Sequence, residues 1–172
     1  LILIVFQPEI RRAAEKIRRG RFFLSAGTEN TANPLLVKKL LTSVDQLSTK
    51  KIGALIVLEQ RNSLDDYTES GIIIDAHLSS ELLTALFWPG SPTHDGAVFV
   101  RGSNILSAGC LLPLTNVKLP DQRLGTRHMS AIGLSEETDA LIIVVSEETG
   151  TISIAEKGNL TRFLNKEALE KR

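Results

Sequence analysis

The sequence predicts an α/β fold: a single globular domain, residues 1–172, with a central mixed β-sheet flanked by helices. Three observations predict it. Near-continuous apolar runs such as "KIGALIVLEQ" suit strands buried on both faces. Segments with apolar residues at helical spacing are interleaved with them. Two pairs of apolar runs are joined by short polar turns, the pattern of hairpins, which makes the sheet mixed.

The elements follow in order. "LILIVF" opens the chain and reads either as a first strand or as the trailing end of an upstream membrane helix. "QPEIRRAAEKIRRGRF" reads as a helix, with Pro8 in its first turn, Ile10, Ala13, Ala14 and Ile17 at helical spacing, and Gly20 as its stop. A polar stretch, residues 25–33, precedes a second helix that starts at Pro34 and runs through Leu47. "KIGALIVLEQ" and "GIIIDAHL" are strands, and "SSELLTALFWPG" is a helix with a Ser cap and a Pro-Gly stop. "GAVFVRGSNILSAGCLLPL" reads as a hairpin turning at Gly102-Ser103-Asn104. "LGTRHMSAIGLSEE" is a short helix opened by Thr126, whose default role is an N-cap. "DALIIVVSEETGTISIAEKGNL" is a second hairpin turning near Glu148-Thr149-Gly150.

Composition narrows the function. Hydrophobic content of 42% and charged content of 23% are those of a soluble globular protein. Twenty basic and 20 acidic residues cancel, which argues against a broad nucleic-acid-binding face and leaves room for a local phosphate pocket. The one cysteine, Cys110, excludes an internal disulfide and a four-thiolate zinc site, and its apolar neighbours suit a buried thiol. No apolar run is long enough to span a membrane, so the chain itself is expected to be soluble. The common P-loop, dinucleotide, zinc-protease and hydrolase signatures are all missing.

Three polar clusters remain: His94-Asp95-Gly96-Ala97 at the entry to the first hairpin, "GTRHMSA" at 125–131, and "SEETG" at 146–150. Each has an ordinary reading as a turn, a cap or a solvated loop. Together they suggest more. A helix N-terminus favours anions, and Thr126, Arg127 and His128 add a hydroxyl, a fixed cation and an imidazole there. Asp95, with His94 or the carboxylates of Glu147 and Glu148, suits a divalent metal on phosphates, and the "LLPL" residues suit cover for a base. The residue types alone describe a metal-dependent nucleotide site.

Those clusters, in this order, resemble the diadenylate cyclase domain family, which condenses two ATP into cyclic di-AMP. "DGA", "GTRHMSA" and "SEETG" match its motifs, and "QPEIRRAAEKIRRGRF" is similar to the segment after the membrane helices of the CdaA-type, membrane-attached class. The resemblance implies that Asp95, Arg127 and His128 are catalytic. It implies an ATP site of Gly96, Ala97, Leu112, Thr126, Arg127, His128, Met129, Ser130, Ser146, Glu147 and Glu148. It further implies Mn²⁺ or Mg²⁺, with Co²⁺ possible, on Asp95, His94 and Glu148. It implies a face-to-face homodimer, no nucleic-acid partner, and attachment of the full-length protein to the cytoplasmic face of the membrane through an N-terminal segment. Gly96 would admit backbone close to the nucleotide, and Leu112 would contact adenine.

The sequence departs from the family pattern at Met129, where a second Arg is common, and at Leu111, where an aromatic often lies beside adenine. Arg123 stands just upstream as a substitute cation. Three functions therefore compete: an active cyclase, a module of the same fold that senses ATP or cyclic di-AMP without turnover, and a structural domain with solvated polar loops.

Overall fold

A computed structural model describes residues 33–116 and 124–164. The opening "LILIVF", the helix predicted for "QPEIRRAAEKIRRGRF" and Arg123 lie outside the described residues. Helix α1 (Pro34–Thr49) begins where Asn33 caps it, its Oδ1 accepting the Leu35 N–H at 3.0 Å, with Pro34 in the first turn. Strand β1 (Ala54–Leu58) follows, then a single helical turn α2 (Asp65–Thr68), strand β2 (Ile72–His77) and helix α3 (Ser80–Leu86). Ser79 caps α3 as expected, accepting the Leu82 N–H at 3.1 Å. Strands β3 (Ala97–Arg101) and β4 (Asn104–Cys110) form the first hairpin. Helix α4 (Thr126–Glu137) leads into β5 (Leu141–Val145), β6 (Ile152–Glu156) and β7 (Asn159–Thr161).

The seven strands form one sheet in the order β2-β4-β3-β1-β5-β6-β7. Only β1 and β3 are parallel, so the sheet is mixed and the fold class is α/β as the sequence predicts. Alternation along the central strands fills two cores. Ala54, Ile56, Val98, Val100, Ile143 and Val145 pack with Leu41, Val44 and Leu47 of α1 and Leu83 of α3. Leu55, Val57, Phe99, Ile142 and Val144 point the other way and pack with Ala131 and Leu134 of α4. Burying both faces explains why β1 and β5 read as unbroken apolar runs; each such Leu, Ile or Val contributes about 1.5–3 kcal/mol. Among the described residues no helix is long and apolar enough to cross a membrane.

Four local readings change. Thr126 does not cap α4: Gly125 holds the cap position in extended backbone, and Thr126 is already in the first helical turn without a capping bond. The "LLPL" segment leaves the sheet after Cys110, since Pro113 has no N–H for a ladder. The second hairpin is a three-stranded meander, because Lys157 and Gly158 both take positive φ (50° and 76°) and form a second tight turn. The turn α2 has no apolar periodicity and is absent from the sequence reading. Cys110 is buried as expected, its Sγ 3.0 Å from Ser107 Oγ, and burial raises its thiol pKa.

Candidate active site

Topology brings the three polar clusters to one end of the sheet. β1 and β3 are parallel and both start there; β5 is antiparallel to β1 and ends there, with Val145 paired to Ala54. The loop entering β3 carries His94 and Asp95, and the turn leaving β5 carries Ser146 to Gly150. α4 joins β5 at the opposite end, so its N-terminus returns to the same place.

Arg127 ties these segments together. Its Nη1 donates to Glu147 Oε2 at 2.6 Å, and its Nη2 donates to the His94 carbonyl at 3.4 Å. Glu147 is largely exposed, so the ion pair adds at most about 1 kcal/mol of stability; its consequence is position. The His128 and Met129 N–H groups both return to the Gly125 carbonyl. The Thr126 and Arg127 N–H groups have no backbone partner among the described residues, as is usual in the first turn of a helix, and such a start favours an anion.

The turn after β5 is held just as firmly. Gly150 N–H donates to the Ser146 carbonyl at 2.9 Å, and Ser48 Oγ at the end of α1 donates to the Gly150 carbonyl at 2.6 Å. Gly150 has φ +75°, and a Cβ there would meet the Ser48 carbonyl oxygen at 2.5 Å. Glu147 and Glu148 are exposed beyond it.

Gly96 has φ +119°, and its missing Cβ lets the start of β3 close on β4, where Gly109 C would otherwise be 2.6 Å away. Ala97 beside it is fully buried in the core on the α4 side. Leu112 is half-buried against that same core, while Leu111 is 74% exposed. The segment carrying them is strapped to α4: Thr115 N–H donates to the Met129 carbonyl at 3.2 Å, and Thr115 Oγ1 donates to Glu136 Oε1 at 3.0 Å. Met129 and Ser130 are half-buried on that turn of the helix.

His128 is only 5% exposed, and neither ring nitrogen meets a hydrogen-bond partner among the described residues. Burial first, then the positive charges of Arg162 and Arg127, push its pKa below the ordinary histidine value, so the imidazole is neutral at pH 7. Arg162, one residue past β7, is thus a second cation near the start of α4.

A divalent cation is implied by the family resemblance, and the donors bear on its fit. His94 Nδ1 lies 2.5 Å from the Ser91 carbonyl, which can only accept, so Nδ1 carries the proton and Nε2 is left to bind. That is the arrangement of a histidine readied as a metal ligand. Asp95 beside it is exposed and forms no ion pair among the described residues. Yet no group of three or more His, Cys, Asp or Glu side chains converges on a metal position among the described residues, so His94, Asp95 and Glu148 do not form a closed cage. One or two protein donors suit Mg²⁺ or Mn²⁺ carried on a triphosphate, where phosphate oxygens and water complete the shell.

The sequence reading missed Gly53, which lies directly beneath the Arg127–Glu147 pair, as well as Arg162 and the Thr115 strap. Gly53 carried a signal: a glycine in an apolar strand run marks close approach by another group. Arg162 carried none, since only the β6–β7 turn brings it to α4.

Known proteins resemble this chain in sequence and fold. The family model DAC, described as DisA bacterial checkpoint controller nucleotide-binding, matches residues 41–160. Cyclic di-AMP synthase CdaA of Bacillus subtilis is 45% identical over 98% of this chain and 62% of its own length, so the chain spans less than two thirds of that relative. The crystal structure of a double mutant of DacA from Staphylococcus aureus matches with a TM-score of 0.79 at 41% identity, covering 80% of this chain and 92% of that one. A protein of Bacillus cereus described as a hypothetical membrane spanning protein matches with a TM-score of 0.72 at 39% identity, over 95% of this chain and 80% of that one. With its motifs drawn together at one end of a shared fold, the chain belongs to the DAC, or diadenylate cyclase, family.

Proposed function

We propose that the protein is a diadenylate cyclase, condensing two ATP into cyclic di-AMP and two pyrophosphates. The observation that carries this reading is Arg127, which joins the start of α4, the Glu147 turn and the β3-entry loop at a helix N-terminus. That is a cradle for a triphosphate, positioned next to an exposed carboxylate, Asp95.

In each of two equivalent steps a ribose 3′-oxygen forms a bond to the partner ATP's α-phosphorus, and the bond from that phosphorus to the bridging oxygen breaks to release pyrophosphate. Asp95 accepts or orients the 3′-OH proton. Thr126, Arg127 and Ser130 bind phosphate oxygens, while neutral His128, whose ring nitrogens are buried, supports the first turn of α4 from beneath. Ser146, Glu147 and Glu148 line the opposite side, and Leu112 covers adenine, with Gly96, Ala97 and Met129 completing the ATP contacts. Asp95, His94 and Glu148 would hold a divalent cation such as Mn²⁺ or Mg²⁺, which would supply neutralisation of phosphate charge. Catalysis then rests on positioning and electrostatics. Each chain holds one ATP, so two chains face each other to place each 3′-OH in line. The full-length protein is anchored to the membrane, with this domain on the cytoplasmic face; the Bacillus cereus neighbour's description as membrane spanning supports the anchoring.

The test is mass spectrometry of products after incubation with ATP and Mn²⁺. Cyclic di-AMP should form, and Asp95→Asn should reduce its rate by at least about a hundredfold, as loss of a group acting directly in proton transfer does. Binding of ATP without any product under several metals would overturn the reading. That result would instead favour a non-catalytic ATP or cyclic di-AMP sensor, a reading motivated by Met129: the first turn of α4 holds one guanidinium, already paired with Glu147. In the sensor, Met129→Arg should switch synthesis on.

A further inference from the structure

Gly53 lies buried at the threshold of β1, outside every motif discussed for the site. Its φ is not in the left-handed region, so backbone conformation does not demand glycine there. Space does. A Cβ at this position would lie 2.6 Å from Arg127 Nη1, 2.9 Å from Arg127 Cζ and 2.9 Å from Glu147 Oε2. All three are terminal atoms of flexible side chains, in contrast to the backbone atoms that Gly133 and Gly150 would meet. An added methyl is therefore accommodated by moving the guanidinium and the carboxylate, with the fold left in place.

We infer that Gly53 is a positioning residue for the triphosphate site: its bare Cα is the floor on which the Arg127–Glu147 pair lies, and this sets where the guanidinium meets phosphate. The inference rests on the proposed ATP chemistry and extends it to a residue on β1. Three constraints locate the guanidinium: Glu147 from the β5 turn, the His94 carbonyl from the β3-entry loop, and Gly53 from below. Removing the floor constraint leaves Arg127's charge intact and alters only its place. Displacements on the order of 1 Å at such groups lower rates by up to about a hundredfold.

The test compares wild type, Gly53→Ala, Glu147→Ala and the double variant, in full-length protein, by steady-state cyclic di-AMP synthesis, calorimetric titration with a non-hydrolysable ATP analogue and thermal melting. Gly53→Ala should lower kcat/KM and analogue affinity by about ten- to a hundredfold while Tm stays within about 3 °C of wild type. In the Glu147→Ala background the same substitution should cost markedly less, because the guanidinium is no longer held in that place by the carboxylate. Unchanged kinetics and affinity in Gly53→Ala overturn the inference. So does a Tm loss above about 10 °C, which marks a packing glycine, or an equal effect in both backgrounds. A wild type that binds the analogue but makes no product overturns the cyclase reading alone, and the affinity comparison still decides the role of Gly53.

Discussion

At the scale of single residues, the site is built from side chains whose ordinary roles have been redirected. Arg127 forms an ion pair of little energetic weight that fixes where a cation stands. His128 is the sharper case. Its neutral form is favoured in the fold by burial and by Arg162 and Arg127, so its folded pKa lies below the unfolded value near 6.5. As pH falls through 6.5 the unfolded chain takes up a proton before the folded one does, so acid favours unfolding. Stability from this residue is complete above that pH and declines below it, until the folded pKa is passed. Melting temperature should therefore drop between pH 7 and pH 5, and His128→Gln should flatten that part of the profile; equal slopes in both proteins would refute the assignment.

Among elements, α4 does the most to organise the site. Its start presents the groups proposed to bind phosphate, its buried face closes one core, and its flank holds the Leu111–Thr115 strap. The strap approaches so closely at Gly133 that a Cβ would sit 2.5 Å from the Pro113 carbonyl oxygen and 2.8 Å from the Thr115 nitrogen. These are backbone atoms, and two hydrogen bonds from Thr115 hold them. Gly133→Ala should therefore destabilise the protein by about 1–3 kcal/mol in urea unfolding. It should also weaken ATP binding through the displaced Leu112. Loss of stability with ATP affinity intact would separate the strap from the adenine site.

For the whole molecule, the proposed chemistry needs two chains, because each supplies one ATP held at the end of one sheet. Specific activity should accordingly rise with protein concentration and reach a plateau, the midpoint reporting the dimer dissociation constant. Activity per chain that is flat on dilution, over a range where ultracentrifugation shows monomer, would remove the two-chain arrangement. The fold suits such an assembly: the site lies at a sheet end, with Asp95, Glu147 and Glu148 exposed.

Much of this was legible along the chain. The period and length of apolar runs determined the α/β class, the helix from Pro34 and both hairpin turns, because alternation and capping are local effects of backbone geometry and burial. Motif order determined the family. Tertiary structure alone decided the rest. Local pattern could not show that Gly125 rather than Thr126 would cap α4, or that His128 would be buried. Least of all could it place Gly53 under Arg127, since 74 residues of chain separate them and only the pairing of β1 with β5, and the return of α4, closes that gap. Sequence specifies which groups exist and what each prefers locally; which of them touch depends on how strands far apart in the chain are paired.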